Sequence, residues 1–440
     1  MKDAVSITML VAFASGIAGP ALGAEQRAIQ WTQIPVQNIT LFYPGQSTYE
    51  WLLSPAHEKG NIRVAAGRPC LNCHEGEEQA IGDKLVKGGP LEPTPIAGKN
   101  GTVKLALQAA HDAEYLYLRA QWKTNLKREG RMHDYVRFDG KQWKWYGKDR
   151  NDPAVRSGKQ PALYEDRFSI MLDDGKVPNF ATHGCWVTCH AGMRDTRDQA
   201  VGDVVRKHPL LGDAGLKESD VRKYLPSTRI EPGASWDKTK TAEEIAKIKA
   251  AGGFLDLMQW RVARSAAVGM ADDGYVLEYR NFDAGKNPFG WNLDRKTMTP
   301  LYMFDAARVG VRALRAEDIG IPAKPAAVIR ESNAVPFDSS AGWQDGDILP
   351  GRLLSRADAK GSAADNDSVQ GAWKDGTYTV VWRRKLNTGN DDDKALQVGG
   401  KYTVSFAIHD DNVTTRFHHV SFPLTLGVGA DADIKAVTVK

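Results

Sequence analysis

The sequence predicts a mainly β protein, an antiparallel β-sandwich carrying a helical insertion and a small irregular N-terminal segment. Three observations point there. Stretches that alternate apolar and polar residues recur, first near residue 105 and again throughout the C-terminal part. Gly, Asn and Asp interrupt those stretches at strand-length intervals. Only one segment carries a full helix-start signature.

In chain order, residues 25–60 hold scattered aromatics without a clear period. Residues 61–100 end in a Gly/Pro-rich run, GGPLEPTPIAGKNG, which reads as coil. In TVKLALQAAHDAEYLYLRAQW (102–122), Val103, Leu105 and Leu107 share one face, and Leu116, Leu118, Ala120 and Trp122 share another. With the polar break at His111–Glu114 this predicts a β-hairpin. RFSIMLDDG (167–175) is a further strand that ends in an Asp-Gly turn. Residues 195–250 turn to Lys, Glu and Pro and read as a solvated helical insertion. There Thr241 and Glu244 form a capping box, and Gly252 ends the helix. GTYTVVWRRKL (376–386), GKYTVSFAIHDD (400–411) and RFHHVSFPLTLGVG (416–429) return to strands.

The chain of 440 residues has a formal charge of only +4 with 25% charged residues, which argues against nucleic-acid binding. It opens with Lys2, an uncharged stretch over residues 4–24, and small residues at Ala21, Gly23 and Ala24. This pattern predicts a signal peptide over 1–24 and export to the periplasm. An uncleaved anchor is the alternative, and no later segment is apolar enough to span a bilayer.

All four cysteines fall in two motifs, Cys70-Leu71-Asn72-Cys73-His74 and Cys185-Trp186-Val187-Thr188-Cys189-His190. With ten histidines in the chain, a histidine follows a given cysteine by chance about 0.02 of the time. Two such coincidences are a poor explanation. C-x-x-C-H is the signature of covalent haem attachment: two thiols form thioethers and the adjacent histidine binds iron. The second motif keeps the step from cysteine to histidine and absorbs one extra residue in its loop. The competing readings are a four-cysteine zinc site and two short, strained disulfides. The predicted cofactors are therefore two covalently bound haem c groups, held by Cys70, Cys73 and His74 and by Cys185, Cys189 and His190. The predicted organisation is a haem c segment over 25–95 and a haem-binding sandwich over 96–430, with its insertion at about 195–250.

The run YEDRFSIMLDDGKVPNF (164–180), then GCWVTCH (184–190), DLMQWRVARSAAVGMADDGY (256–275), TVVWRRKLNTGN (379–390), VSFAIHDDN (404–412) and HHVSFPLTLG (418–427) resembles the ethylbenzene dehydrogenase-type haem-binding domain. The resemblance covers roughly residues 95–430, and the N-terminal C-x-x-C-H portion resembles the periplasmic cytochrome branch. It implies a β-sandwich that holds haem and passes electrons. In the molybdenum-enzyme subunits of that family the haem is b-type, with methionine and lysine ligands. Here cysteines and histidine stand instead.

For the remaining iron ligands, His57 is favoured at the first haem, with His111, His133 (beside Met132) and His183 as alternatives. For the second, His418 is favoured. Strand alternation groups it with Val420 and Phe422, and turns His419, the alternative, toward solvent or a polar partner. The resemblance agrees: the family's lysine ligand stands three residues before a serine, as His418 stands before Ser421. His409 lies on the face opposite Phe406 and Ile408 and reads as structural or exposed.

Two functions follow. The first is a periplasmic dihaem c-type cytochrome that transfers electrons between respiratory partners, such as a membrane quinol-oxidising cytochrome and a periplasmic reductase or molybdoenzyme. The second is a haem enzyme, a peroxidase or small-molecule reductase with one open iron. A haem-based sensor is a third, weaker option.

Overall fold

The computed structural model describes residues 29–439, apart from 126–129, 131–133, 283–285, 320–326, 362–364, 366–367 and 415. Thirteen strands form one large sheet: β1 (Gln37–Phe42), β2 (Thr102–His111), β3 (Tyr115–Lys123), β4 (Arg167–Asp173), β5 (Leu255–Arg261), β6 (Gly274–Val276), β7 (Arg280–Phe282), β8 (Ser368–Lys374), β9 (Thr377–Lys385), β10 (Lys401–His409), β11 (His419–Val420), β12 (Leu424–Val428) and β13 (Ile434–Thr438). The main order is β8-β9-β3-β2-β1-β11-β10-β4-β5-β6-β7. β12 joins β10 to β13, and β13 returns to β2. Within this sheet, among the described residues, only the pairings of β13 are parallel.

The two halves of this sheet fold onto one core. Leu105 pairs with Trp122 across the predicted hairpin, and Tyr378 sits beside Trp122 on β9. From the other half, Phe168, Trp260 and Phe406 enter the same cluster. Trp122 lies 5.5 Å from Phe168 and 6.0 Å from Trp260, ring centre to ring centre. This is face-to-face sandwich packing, in which each strand contributes alternate side chains.

Strands β4, β5 and β10 are buried on both faces. Phe168, Ile170 and Leu172 face the core. The alternate residues Arg167, Ser169 and Met171 line a cavity together with Leu257, Gln259 and Arg261 of β5. Register explains the grouping: His409 pairs with Arg167, and Arg167 pairs with Arg261, so one row crosses three strands. A smaller three-stranded sheet (135–138, 143–146 and 348–350) has its own apolar cluster, and its Trp145 and the nearby Leu163 close the cavity from outside.

The N-terminal segment differs from the sequence expectation. Residues 37–42, which show no clear period, form a central strand paired with 102–107. Residues 49–85 form four short helices, α1 (Tyr49–Leu53), α2 (Gly60–Ala65), α3 (Leu71–His74) and α4 (Glu78–Leu85). Helices this short carry too little periodicity to be read from sequence. The insertion helix, α5 (Ala242–Ala250), starts at Thr241 with the reciprocal Thr241–Glu244 capping box. RFHHVSFPLTLGVG splits into β11 and β12, with Pro423 in the break, because proline has no N–H to give a ladder. Among the described residues no helix is long and apolar enough to cross a membrane. The segment 1–24 lies outside them.

Candidate functional site

None of the four cysteines is in a disulfide. In the first motif, Cys70 caps α3 and His74 closes it; the backbone N–H of His74 donates to Cys70 O at 3.0 Å. His74 Nδ1 donates to Glu77 at 2.8 Å, and His57 Nδ1 donates to Leu52 O at 3.0 Å. Tying Nδ1 to an acceptor fixes the tautomer and leaves Nε2 with its lone pair, the preparation metal-binding histidines show. The two ring centres are 6.2 Å apart, with planes 17° from parallel. A metal–nitrogen bond of about 2 Å on each side, plus roughly 1 Å from nitrogen to ring centre, gives about 6 Å for two imidazoles on one metal. Two thiols and two such imidazoles fit a covalently attached, six-coordinate haem. Gly60 makes room for this geometry: a Cβ there would stand 2.6 Å from the His57 ring. Cys73 is exposed and Cys70 half-buried, and burial pushes the Cys70 thiol up to about 11.

The second motif is a buried 3-10 turn, Gly184–Thr188. Gly184 takes φ +57°, and its close approach to Ser405 and Pro423 leaves no room for a side chain. Trp186 packs against the touching rings of Phe42 and Phe422, and its Nε1–H donates to Ser47 at 3.0 Å. Lys223 Nζ lies 3.4 Å from Cys189 Sγ. A hydrogen bond from Cys185, helped by Lys223, holds the Cys189 thiol well below its usual range.

Both cysteines open onto the cavity, of about 640 Å³, within the range of pockets for drug-sized ligands. His418 and His409 also line it, with ring centres 4.4 Å apart. Burial drives both well below the ordinary histidine range, and surrounding cations reinforce it, so both are neutral imidazoles. That is the form that ligates metal. Their stacking is too close to seat an iron between them, so they are not two axial ligands of one haem. His190 does not enter the cavity. Its Nδ1 donates to Glu50 at 2.7 Å, and Nε2 lies 2.9 Å from Val187 O and 3.0 Å from Tyr224 O. Burial alone would raise Glu50, but its contacts with His190 hold it below the usual carboxylate range.

The other candidate histidines lie elsewhere. His419 is fully buried rather than solvent-facing, and its Nε2 bonds to Asn100 O at 2.8 Å. His111 is buried at the end of β2, where it meets Asp112 O and Thr438 Oγ1. His183 Nε2 donates to Arg68 O at 3.1 Å, which ties the two motifs together. His133 and Met132 lie outside the described residues. The sequence reading missed His409. The face opposite Phe406 and Ile408 is indeed polar, but it is the cavity face. An arginine inside a strand buried on both sides, Arg167 in RFSIMLD, was the available signal.

The two motifs are neighbours. The N–H of Cys70 donates to Thr182 O at 3.1 Å. Cys185, Trp186, Phe42 and Phe422 belong to one apolar cluster, against which Cys70 and Leu71 pack.

Comparison with known proteins gives a consistent picture. A family model described as Ethylbenzene dehydrogenase matches residues 28–421. Cytochrome c-552 of Stutzerimonas stutzeri is 27% identical over 409 residues, covering 92% of this chain and 89% of that protein. Cytochrome c-551 of Rhodocyclus tenuis is 29% identical over 218 residues, covering 48% of this chain and 77% of its own. The chain belongs to the ethylbenzene dehydrogenase family.

Proposed function

We propose that this member of the ethylbenzene dehydrogenase family is a dihaem c-type cytochrome that works as an electron carrier in the periplasm, after removal of residues 1–24. The observation that carries the reading is the adjacency of the two cysteine motifs across one aromatic cluster, the first at the surface and the second on a buried cavity. An electron entering at the surface haem has a short, apolar, aromatic-lined path to the buried one. The relatives' names, cytochrome c-552 and cytochrome c-551, support covalent haem.

In this reading Cys70 and Cys73 hold the first haem, with His74 and His57 on its iron. Cys185 and Cys189 would hold the second, with His418 and the motif's own His190 as the residues that would bind its iron. Seating His190 requires its Nε2 to leave the Val187 and Tyr224 carbonyls, while Glu50 keeps hold of Nδ1. Each thiol adds across a vinyl double bond, with its proton going to the neighbouring carbon, so attachment needs no oxidant. Residues 25–95 then carry the surface haem while lending β1 to the sandwich, and 96–430 build the rest of the sandwich around the buried one. Redox proteins are the partners.

A second reading, a haem enzyme with one open iron, draws on the size and cationic lining of the cavity. Mass spectrometry and a carbon monoxide titration separate the two. A carrier shows two covalent haems, both low-spin and inert to carbon monoxide. One haem in the mature protein ends the dihaem reading; rapid ligand binding by one of two haems favours the enzyme.

A further inference from the structure

At the end of the cavity away from the cysteines, four arginines converge. Arg167 and Arg261 come from paired positions on β4 and β5, Arg264 follows β5, and Arg280 opens β7. All four are at least nine-tenths buried and line the cavity. Two carboxylates meet them. Glu165 sits 3.3 Å from Arg167 and 3.0 Å from Arg264, and Asp272 pairs with Arg261. Arg280 meets no carboxylate among the described residues; its Nη2 donates to the neutral Gln259 at 2.7 Å. Arg280 is therefore a buried guanidinium with no carboxylate partner among the described residues, and such a charge is costly. The strain is visible in the groups themselves. Burial, with the neighbouring arginines adding to it, pushes Arg280 down to about 9 and Arg261 well down.

An anion held at this wall would supply the partner. Its position is set by the strand: Gly184 packs against Ser405, and His409, level with Arg167 and Arg261, is four residues further along β10. Four residues span about 13 Å, the scale of a porphyrin from its sulfur-linked edge to its propionate edge. We propose that the Arg167–Arg261–Arg264–Arg280 wall is the seat of the two propionates of the haem attached at Cys185 and Cys189. The proposal rests on the dihaem reading. Guanidinium forks match carboxylates in pairs, and the wall points the haem's charged edge inward, away from solvent.

The test uses the mature holoprotein and the variants Arg280→Gln and Arg280→Lys. Haems are first counted and located by mass in the unmodified protein: one haem there defeats the dihaem reading, and the propionate assignment falls as well if Cys185 and Cys189 are the pair left without haem. With two haems present, Arg280→Gln is expected to keep both, to lower the midpoint potential of the buried haem alone, and to shift its propionate bands in the resonance Raman spectrum. Losing a positive charge beside the propionates favours the ferric state, which sets the sign. Arg280→Lys is expected to restore most of the potential. Sulfate, titrated by calorimetry into the unmodified protein, is expected not to bind. Unchanged potential and Raman bands in Arg280→Gln overturn the proposal. So does sulfate binding that Arg280→Gln abolishes, which would assign the wall to a dissolved oxyanion.

Discussion

His57 and His74 lie in one short N-terminal stretch, and each is aimed by a neighbour: Leu52 O for the first, Glu77 for the second. The cavity behind Cys185 and Cys189 is assembled differently. Its walls come from β4, β5, β7 and β10, from Lys223 and Arg416 in loops, and from the smaller sheet beyond. At the first site the histidine pair is set by local contacts, with ring centres 6.2 Å apart. The second has its thiols and its neutral imidazoles in place, while its own motif histidine is turned into the backbone. A local motif can be complete with little tertiary support. An embedded one is bound by everything that packs on it.

The largest effect that would break this contrast is loss of a haem. Replacing Cys70 and Cys73 with alanine is expected to remove one covalent haem and about half of the haem absorbance, with the sandwich melting almost as before. Replacing Cys185 and Cys189 is expected to remove the other and also to lower the melting temperature clearly, because a large buried cavity is then left unfilled. Mass spectrometry and thermal melts followed by far-ultraviolet circular dichroism report both. Equal melting temperatures in the two variants would erase the distinction between a surface site and an embedded one.

Next in size is the loss of one axial ligand. His57→Ala is expected to turn the first haem high-spin and open to carbon monoxide, with the second unchanged. His418→Ala is expected to do the same at the second haem, whereas His419→Ala leaves both low-spin, since His419 faces Asn100 and not the cavity. His190→Ala and Met193→Ala sharpen the contrast. If only Met193→Ala opens the second haem, the Met193 thioether, which also lines the cavity, replaces His190 as the ligand opposite His418.

The same contrast governs what could be read from the sequence. The hairpin, the strand at 167–173, the C-terminal strands and the capped helix α5 were legible because alternation and capping are local signals. The cysteine motifs stood out in the sequence because each sets a histidine directly after its second cysteine. His409 and the arginine wall were not. Both depend on a strand having two buried faces, and periodicity reports only that the faces differ, not what covers the second. The central place of β1 was hidden for a related reason: QNITLF is short, and its apolar residues Ile39, Leu41 and Phe42 do not alternate cleanly enough to announce a strand.

A pH series probes the wall of the buried site from behind. Asp256 on β5 faces away from the cavity, beside Asp273 and Asp393. Burial pushes Asp256 up to about 7, against the pull of Arg384, which donates to it at 2.7 Å. The folded chain therefore holds this proton more tightly than the unfolded chain, whose aspartates titrate near 3.9. The resulting stability is full below about pH 4, declines as pH rises, and is gone above about 7. Its size is on the order of a few kcal/mol. Urea unfolding of the mature protein between pH 4 and 8 is expected to show this component, and Asp256→Asn to reduce it, with the rest left to Asp273, which burial also pushes up. The carbon monoxide inertness of the first haem is expected to stay constant across the range.

The smallest predicted effect compares two glycines, each beside one motif. Gly76, just after the first, has φ +76° and nothing within 4 Å of the place a methyl would take; Gly184, just before the second, has φ +57°, with Ser405 Oγ at 2.8 Å and Pro423 Cδ at 3.0 Å. Alanine at either position incurs the left-handed backbone penalty, roughly 1–2 kcal/mol. At Gly184 the methyl also presses on β10 and on Pro423, adding on the order of 1 kcal/mol or more. Gly76→Ala is therefore expected to shift the urea midpoint slightly and leave both haem spectra intact. Gly184→Ala is expected to shift it further and to disturb the second haem alone, because the strain falls on the turn that carries Cys185. Equal shifts in the two variants would mean that the turn yields as easily as the surface loop, and that the second motif is no more constrained than the first.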